Sequence, residues 1–150
     1  RFMVPDPERQ WCHTPELGTH WYAAPVEPYA PLYRFIRAHA EWFDDYEARE
    51  APVVDESRGL ATAGRHRSGS PDVLHVVNLA YEPPTAGRPD RIPVRCDVEI
   101  ALLHATGGSA KFVRWLSYDA DPVTVPIRVA GDRLSVTLPE LRTWTIGVFE

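Results

Sequence analysis

From about Val53 to Glu150 the apolar residues recur at every second position, in short runs separated by turn residues. A period of two puts alternate side chains on opposite faces of an extended strand, so each run buries one face. Val94, Cys96, Val98 and Ile100 alternate with Arg95, Asp97 and Glu99. Val123, Val125, Ile127 and Val129 alternate again, and Leu134, Val136 and Leu138 pair back across Gly131-Asp132. Glycine suits the first central position of a type II′ hairpin turn. Val73 to Leu79 is almost continuously apolar, as a central strand covered on both faces would be. Phe112 to Tyr118 and Trp144 to Phe149 supply two further strands, and Asp119-Ala120-Asp121-Pro122 closes the first of them. Strand signals at this short spacing, without helical patterns between them, predict an antiparallel sandwich rather than a βαβ sheet.

The first 52 residues differ. Pro5, Pro7, Pro15, Pro25 and Pro28 break up any long element, so 1–28 is expected to be an irregular loop dense in aromatic residues. Phe2-Met3-Val4 has the look of a short buried strand. Over 29–47 the pattern is helical: Leu32, Phe35, Ile36, His39, Phe43 and Tyr46 recur at spacings of three and four. Pro31 suits a first helical turn, Trp42 widens the apolar face, and Pro52 ends any continuation. The expected fold is mainly β (α+β): loop and amphipathic helix over 1–52, then a two-layer antiparallel β-sandwich of seven or eight strands over 53–150. Residues 61–70, rich in Gly, Arg and Ser, read as a loop or an edge hairpin.

A net charge of −5, with no basic run longer than Arg65-His66-Arg67, excludes the positive face on which nucleic-acid binding depends. No apolar run reaches the roughly 20 residues that span a bilayer. The two cysteines, Cys12 and Cys96, fall in different elements and read as buried thiols rather than a disulfide framework, although a bond between them stays open. The chain opens on Arg1-Phe2-Met3-Val4 without an initiator methionine and is expected to be a piece of something longer.

The helix Pro31-Leu32-Tyr33-Arg34-Phe35-Ile36 with Trp42-Phe43-Asp44-Asp45-Tyr46-Glu47, the strand Leu74-His75-Val76-Val77-Asn78-Leu79, the run Val113-Arg114-Trp115-Leu116-Ser117 and the ending Leu138-Pro139-Glu140-Leu141-Arg142-Thr143-Trp144 form a familiar series. In that order they resemble the C-terminal end of glycoside-hydrolase-like (β/α)8-barrel proteins, where the last barrel strand and helix lead into an appended β-sandwich. The resemblance implies that 1–52 is the remnant of a barrel end and that carbohydrate is the partner, together with the remainder of a barrel domain. It also implies an accessory region, structural and sugar-contacting but not catalytic alone. The rival reading is an independent β-sandwich module that binds carbohydrate or protein.

Glycoside hydrolysis employs two carboxylates about 5 to 9.5 Å apart. If Phe2–Val4 ends a barrel strand, Asp6 and Glu8 follow it at the catalytic face, about 6.6 Å apart and on one side of an extended chain. Trp11, Trp21 and Tyr22 offer flat apolar faces with polar edges, suited to a sugar ring, and His13 lies among them. These six residues are the expected substrate contacts. His13, Glu16 and His20 have ligand chemistry, but their spacing is not that of a zinc helix, and Pro15 and Gly18 forbid a helix there. No metal and no cofactor is expected. His39 and His75 read as core histidines, Trp115 and Trp144 as sandwich core, and Asp119 and Asp121 as a hydrogen-bonded turn before a calcium site.

Overall fold

The computed structural model describes residues 11–14, 19–22, 27, 30–49, 59–83, 85–89, 91–103, 109–131 and 133–150. The chain divides into two compact units, Arg1–Ala38 and His39–Glu150.

In the first unit, β1 (Trp11–Thr14) pairs antiparallel with β2 (Thr19–Tyr22). The segment expected to be irregular therefore carries a short hairpin. Both arms hold Trp and Thr, and the second adds Tyr22, residues that favour strands. Helix α1 (Ala30–Ala38) has Pro31 in its first turn and buries Phe35.

The helix ends earlier than the stripe of apolar residues implies. In the second unit, Ala40–Trp42 is a 3-10 turn, with Trp42 N donating to His39 O at 3.0 Å. A 3-10 turn keeps a spacing of three, so hydrophobic periodicity runs through the change unaltered. Asp45, at φ 60, then turns the chain into β3 (Glu47–Arg49). Aspartate is one of the few non-glycine residues that enter this left-handed region readily. Tyr46, rather than completing a helical stripe, fastens the turn after β4 (Leu60–His66). Its hydroxyl donates to Pro71 O at 2.9 Å, and its ring lies 4.7 Å beneath the Arg67 guanidinium. Arg67 also donates to Ser70 Oγ at 2.9 Å and Asp44 O at 3.0 Å. The Gly-, Arg- and Ser-rich stretch is thus a strand and a pinned turn.

The remaining strands are β5 (Val73–Asn78), β6 (Arg95–Leu103), β7 (Phe112–Ser117), β8 (Val123–Pro126), β9 (Arg128–Ala130), β10 (Arg133–Leu141) and β11 (Trp144–Phe149). They form two antiparallel sheets, one of six strands in the order β3-β4-β5-β11-β7-β8 and one of three in the order β6-β10-β9. The architecture is a two-layer antiparallel β-sandwich. Of the connections that cross between the layers, two are short. Val123 to Ala130, one strand by its alternation, changes sheets at Ile127, whose N–H donates to Lys111 O at 2.9 Å. Arg142-Thr143 carries the chain back from β10 to β11. Sheet-switching strands of this kind make the corners of sandwiches.

The core lies between the layers. Leu60, Leu74, Val76, Val113, Trp115 and Phe149 from the larger sheet meet Val98, Ile100, Leu102, Leu134, Val136 and Leu138 from the smaller. Trp115 ties the two together, because its indole N–H donates to Thr137 O at 3.1 Å. Gly147 lies opposite it in the sheet and gives its ring room. The central strands β5 and β11 are buried on both faces, since Val73, Ile146 and Val148 on the second face are as inaccessible as the core. That explains their continuous apolar runs.

The end of β5 is held by one buried amide. Asn78, 2% exposed, donates from Nδ2 to Pro93 O at 2.8 Å and to Arg142 O at 2.9 Å. Its Oδ1 accepts from Ala80 N at 3.1 Å and Arg95 Nε at 3.3 Å. Two carbonyls and two N–H groups as partners fix which amide atom is which.

Two core expectations fail. Cys96 is exposed and free, and Val94 is 52% exposed, although both continue the apolar alternation of β6. Between Cys96 and Val98 stands Asp97 at φ 53, and the Asp97–Pro139 pair is missing from an otherwise regular β6–β10 register. The strand turns there, and the pattern stops predicting burial. Trp144 lies on the second face of the larger sheet, outside the core between the layers. There His75 stacks on it at 5.8 Å with the ring planes 12° apart, and Phe43 meets the histidine edge-on at 5.7 Å.

Candidate functional site

Among the expected sugar contacts, Asp6 and Glu8 lie outside the described residues, as does Glu16 of the metal reading. Trp11, His13, Trp21 and Tyr22 are placed by the β1–β2 register: Trp11 opposite Tyr22, Cys12 opposite Trp21, and His13 opposite His20. The pairing brings these four residues onto one two-stranded ribbon. Among the described residues, no three His, Cys, Asp or Glu side chains are grouped to hold a metal ion, and no helix is long and apolar enough to cross a membrane.

A second site, absent from those expectations, opens in the sandwich unit. A cleft of about 740 Å³ lies where the two sheets part. It exists because the chain leaves the larger sheet at Ile127 and β9 pairs with β10 only at Arg133, Leu134 and Ser135. Beyond Ser135, no strand among the described residues pairs with that edge of β10. One wall is the β7–β8 connection, with Tyr118, Asp119, Asp121 and Val123. The opposite wall is the free part of β10 and the turn after it, with Leu138, Pro139, Glu140 and Arg142. Trp115 and Thr145 form the floor. Pro139 has no N–H to offer, so a foreign strand cannot add there.

The polar groups of the cleft are held in place. Asp119 accepts from Ser117 Oγ at 2.6 Å, and the same hydroxyl lies 2.9 Å from Trp144 O, as expected for a hydrogen-bonded turn. The Arg142 guanidinium donates through Nε to Glu140 Oε1. That hydrogen bond and the charge of Glu140, with a smaller contribution from Asp119, push the Arg142 pKa further up, so the group is a permanent cation. Thr145 Oγ1 donates to Leu116 O at 2.8 Å and closes the floor. The cleft thus combines an apolar base with carboxylate acceptors and a guanidinium fork.

The second-face cluster has different electrostatics. Burial among aromatic rings, and secondarily the charge of Arg65, pushes the His75 pKa down to about 4. His75 is a neutral packing group at neutral pH, although it lies outside the core between the layers. His39 is half-exposed, 3.7 Å from Glu41.

The cleft left two short traces in the sequence, Ser117-x-Asp119 and Glu140-x-Arg142. In each pair the first residue ends or nearly ends a strand and the second lies in the bend that follows, which is where the two meet. Nothing local shows that the two pairs face one another.

No family model and no curated protein matches this sequence. Among solved structures, the fold is similar to part of a cycloisomaltooligosaccharide glucanotransferase of Paenibacillus sp., solved in complex with cycloisomaltoheptaose. The TM-score is 0.60 at 17% identity, over 79% of this chain and 20% of that one. The likeness is one of fold, and the chain spans about a fifth of the length of the protein it matches.

Proposed function

We propose that this chain is the accessory β-sandwich region of a larger carbohydrate-active protein, contacting carbohydrate without catalysing a reaction alone. What supports the reading is the shared fold: 79% of this chain is similar to a fifth of an enzyme solved in complex with cycloisomaltoheptaose. In this reading 1–52 is the end of a barrel, the rest of that barrel is the partner of the sandwich, and the catalytic carboxylates belong to the missing part. Asp6, Glu8, Trp11, His13, Trp21 and Tyr22 remain the proposed contacts at the N-terminal side.

The reading is tested by incubating the chain with dextran, starch and xylan, while following reducing-end release and mobility in native gels cast with each polysaccharide. The expected result is no release and retardation by a glucan. Sugar release by this chain, or mobility unchanged in every gel, overturns the reading.

A free-standing glycan-binding module is the second reading. The state of the aromatic stripe favours it, since Phe35 is buried and Trp42 and Tyr46 are half-buried rather than laid bare. Equal glucan affinities for this chain and for the intact protein would select the module; weaker binding by the chain would select the accessory region.

A further inference from the structure

We propose that the cleft between the β7–β8 connection and the free edge of β10 binds a segment of uncharged oligosaccharide. The inference rests on the functional reading above and adds to it the site, the contacting residues and the selectivity. Four observations carry it.

The first is shape. A concavity of about 740 Å³ falls within the range of small-molecule sites. Its two walls come from different sheets, joined by the Trp115 to Thr137 hydrogen bond at the floor, so it is preformed rather than assembled on binding.

The second is composition. A sugar presents C–H faces with hydroxyls around the rim, each hydroxyl both donor and acceptor. Val123 and Pro139 supply apolar surface for the faces, and Tyr118 adds a ring with a polar tip. The carboxylates of Asp119, Asp121 and Glu140 only accept hydrogen bonds, and the Arg142 guanidinium only donates them. Both halves of hydroxyl recognition are present.

The third is preorganisation. Asp119 is held by Ser117, and Glu140 and Arg142 by each other. A guanidinium has five N–H donors, so pairing through Nε leaves others for a ligand. Groups fixed before binding lose less freedom when it occurs.

The fourth is charge. Three carboxylates stand against one guanidinium in the lining, on a chain of net charge −5. An anionic glycan would be repelled, which selects the uncharged class by exclusion as well as attraction.

The test uses the whole chain in native affinity gels cast with dextran or with polygalacturonate. Dextran is expected to retard the wild type, and polygalacturonate is not. Arg142→Ala and Glu140→Gln should each weaken the apparent dextran affinity about tenfold, as loss of a charged hydrogen-bonding group does. Both side chains are exposed, so the fold is expected to survive, checked by unchanged near-UV circular dichroism. Glu82→Gln, in an exposed ion pair with Arg91 outside the cleft, should change nothing. Wild-type retardation with both cleft variants unaffected overturns the cleft while the functional reading stands. Loss on Trp21→Ala with retention in Arg142→Ala places the sugar on the β1–β2 hairpin and also overturns it. Equal retardation by polygalacturonate refutes the selectivity. A wild type retarded by none of the polysaccharides defeats the functional reading itself, and the inference with it.

Discussion

Replacing Gly147 by alanine should destabilise the sandwich, and the sign of the effect is the informative part. Gly147 occupies the middle of β11, between Leu74 of β5 and Trp115 of β7. Glycine within a strand ordinarily weakens it by about 0.5–1 kcal/mol relative to alanine. On propensity alone, alanine would therefore stabilise. The packing says otherwise: a Cβ at 147 would lie 2.5 Å from Cζ3 and 2.9 Å from Cε3 of Trp115, and 2.9 Å from Cγ1 of Val113. Carbon atoms in contact prefer about 3.5–4.0 Å. The indole would have to retreat by about 1 Å at its near edge, yet it is 2% exposed and bonded to Thr137 O. Overpacking of a core costs about 1–3 kcal/mol, and a strained or lost hydrogen bond adds about 1 kcal/mol. Less the propensity gain, the net loss is about 2 kcal/mol. Urea unfolding followed by tryptophan fluorescence should show a lower midpoint at unchanged slope. Adding Trp115→Phe, which removes the atoms nearest the new methyl, should make the second substitution less costly in the Gly147→Ala background than in the wild type. A Gly147→Ala protein as stable as the wild type, or more so, would refute the placement of Trp115 over this strand.

Other outcomes follow from single residues. Asn78→Asp should cost about 3–5 kcal/mol in urea unfolding at pH 7, because it sets a carboxylate oxygen against the Pro93 and Arg142 carbonyls that now receive two N–H donors. The His75 pKa of about 4 lies below its unfolded value of about 6.5, so the unfolded chain binds the proton first. Stability from this group is complete above about pH 6.5 and is lost as the pH falls through 4; discounted for the partly exposed ring, the loss is about 2 kcal/mol. Urea midpoints at pH 7 and pH 4.5 should converge in His75→Phe relative to the wild type. Cys96 is exposed and free, so maleimide should label it in the native protein, read by peptide mapping. Labelling only after denaturation would contradict the turn at Asp97.

Much of the sandwich was legible because its signals are local. The double-sided burial of β5, the alternation of Val98, Ile100 and Leu102, and the turn at Gly131, at φ 65 within the Ala130–Arg133 pair, follow from neighbours in sequence. What was not legible depends on context. Val125, Ile127 and Val129 continue one alternation, yet the chain passes from one sheet to the other at Ile127. Residues 40–42 keep helical spacing in a 3-10 turn. Cys96 obeys the apolar pattern, but the left-handed Asp97 next to it takes it out of the core. The cleft is the clearest case. Its walls lie about twenty residues apart, and each holds a pair of polar residues that would be unremarked on any strand. They face each other only because β9 stops short, which no local pattern encodes.

The most direct test of the account is a titration of the 15N-labelled chain with isomaltoheptaose, followed by amide chemical shifts. The account predicts saturable shifts concentrated at 117–123 and 137–145, with the indole N–H of Trp115 among them and no cleavage of the sugar. No shifts at millimolar sugar, or shifts confined to residues outside the cleft, would contradict it.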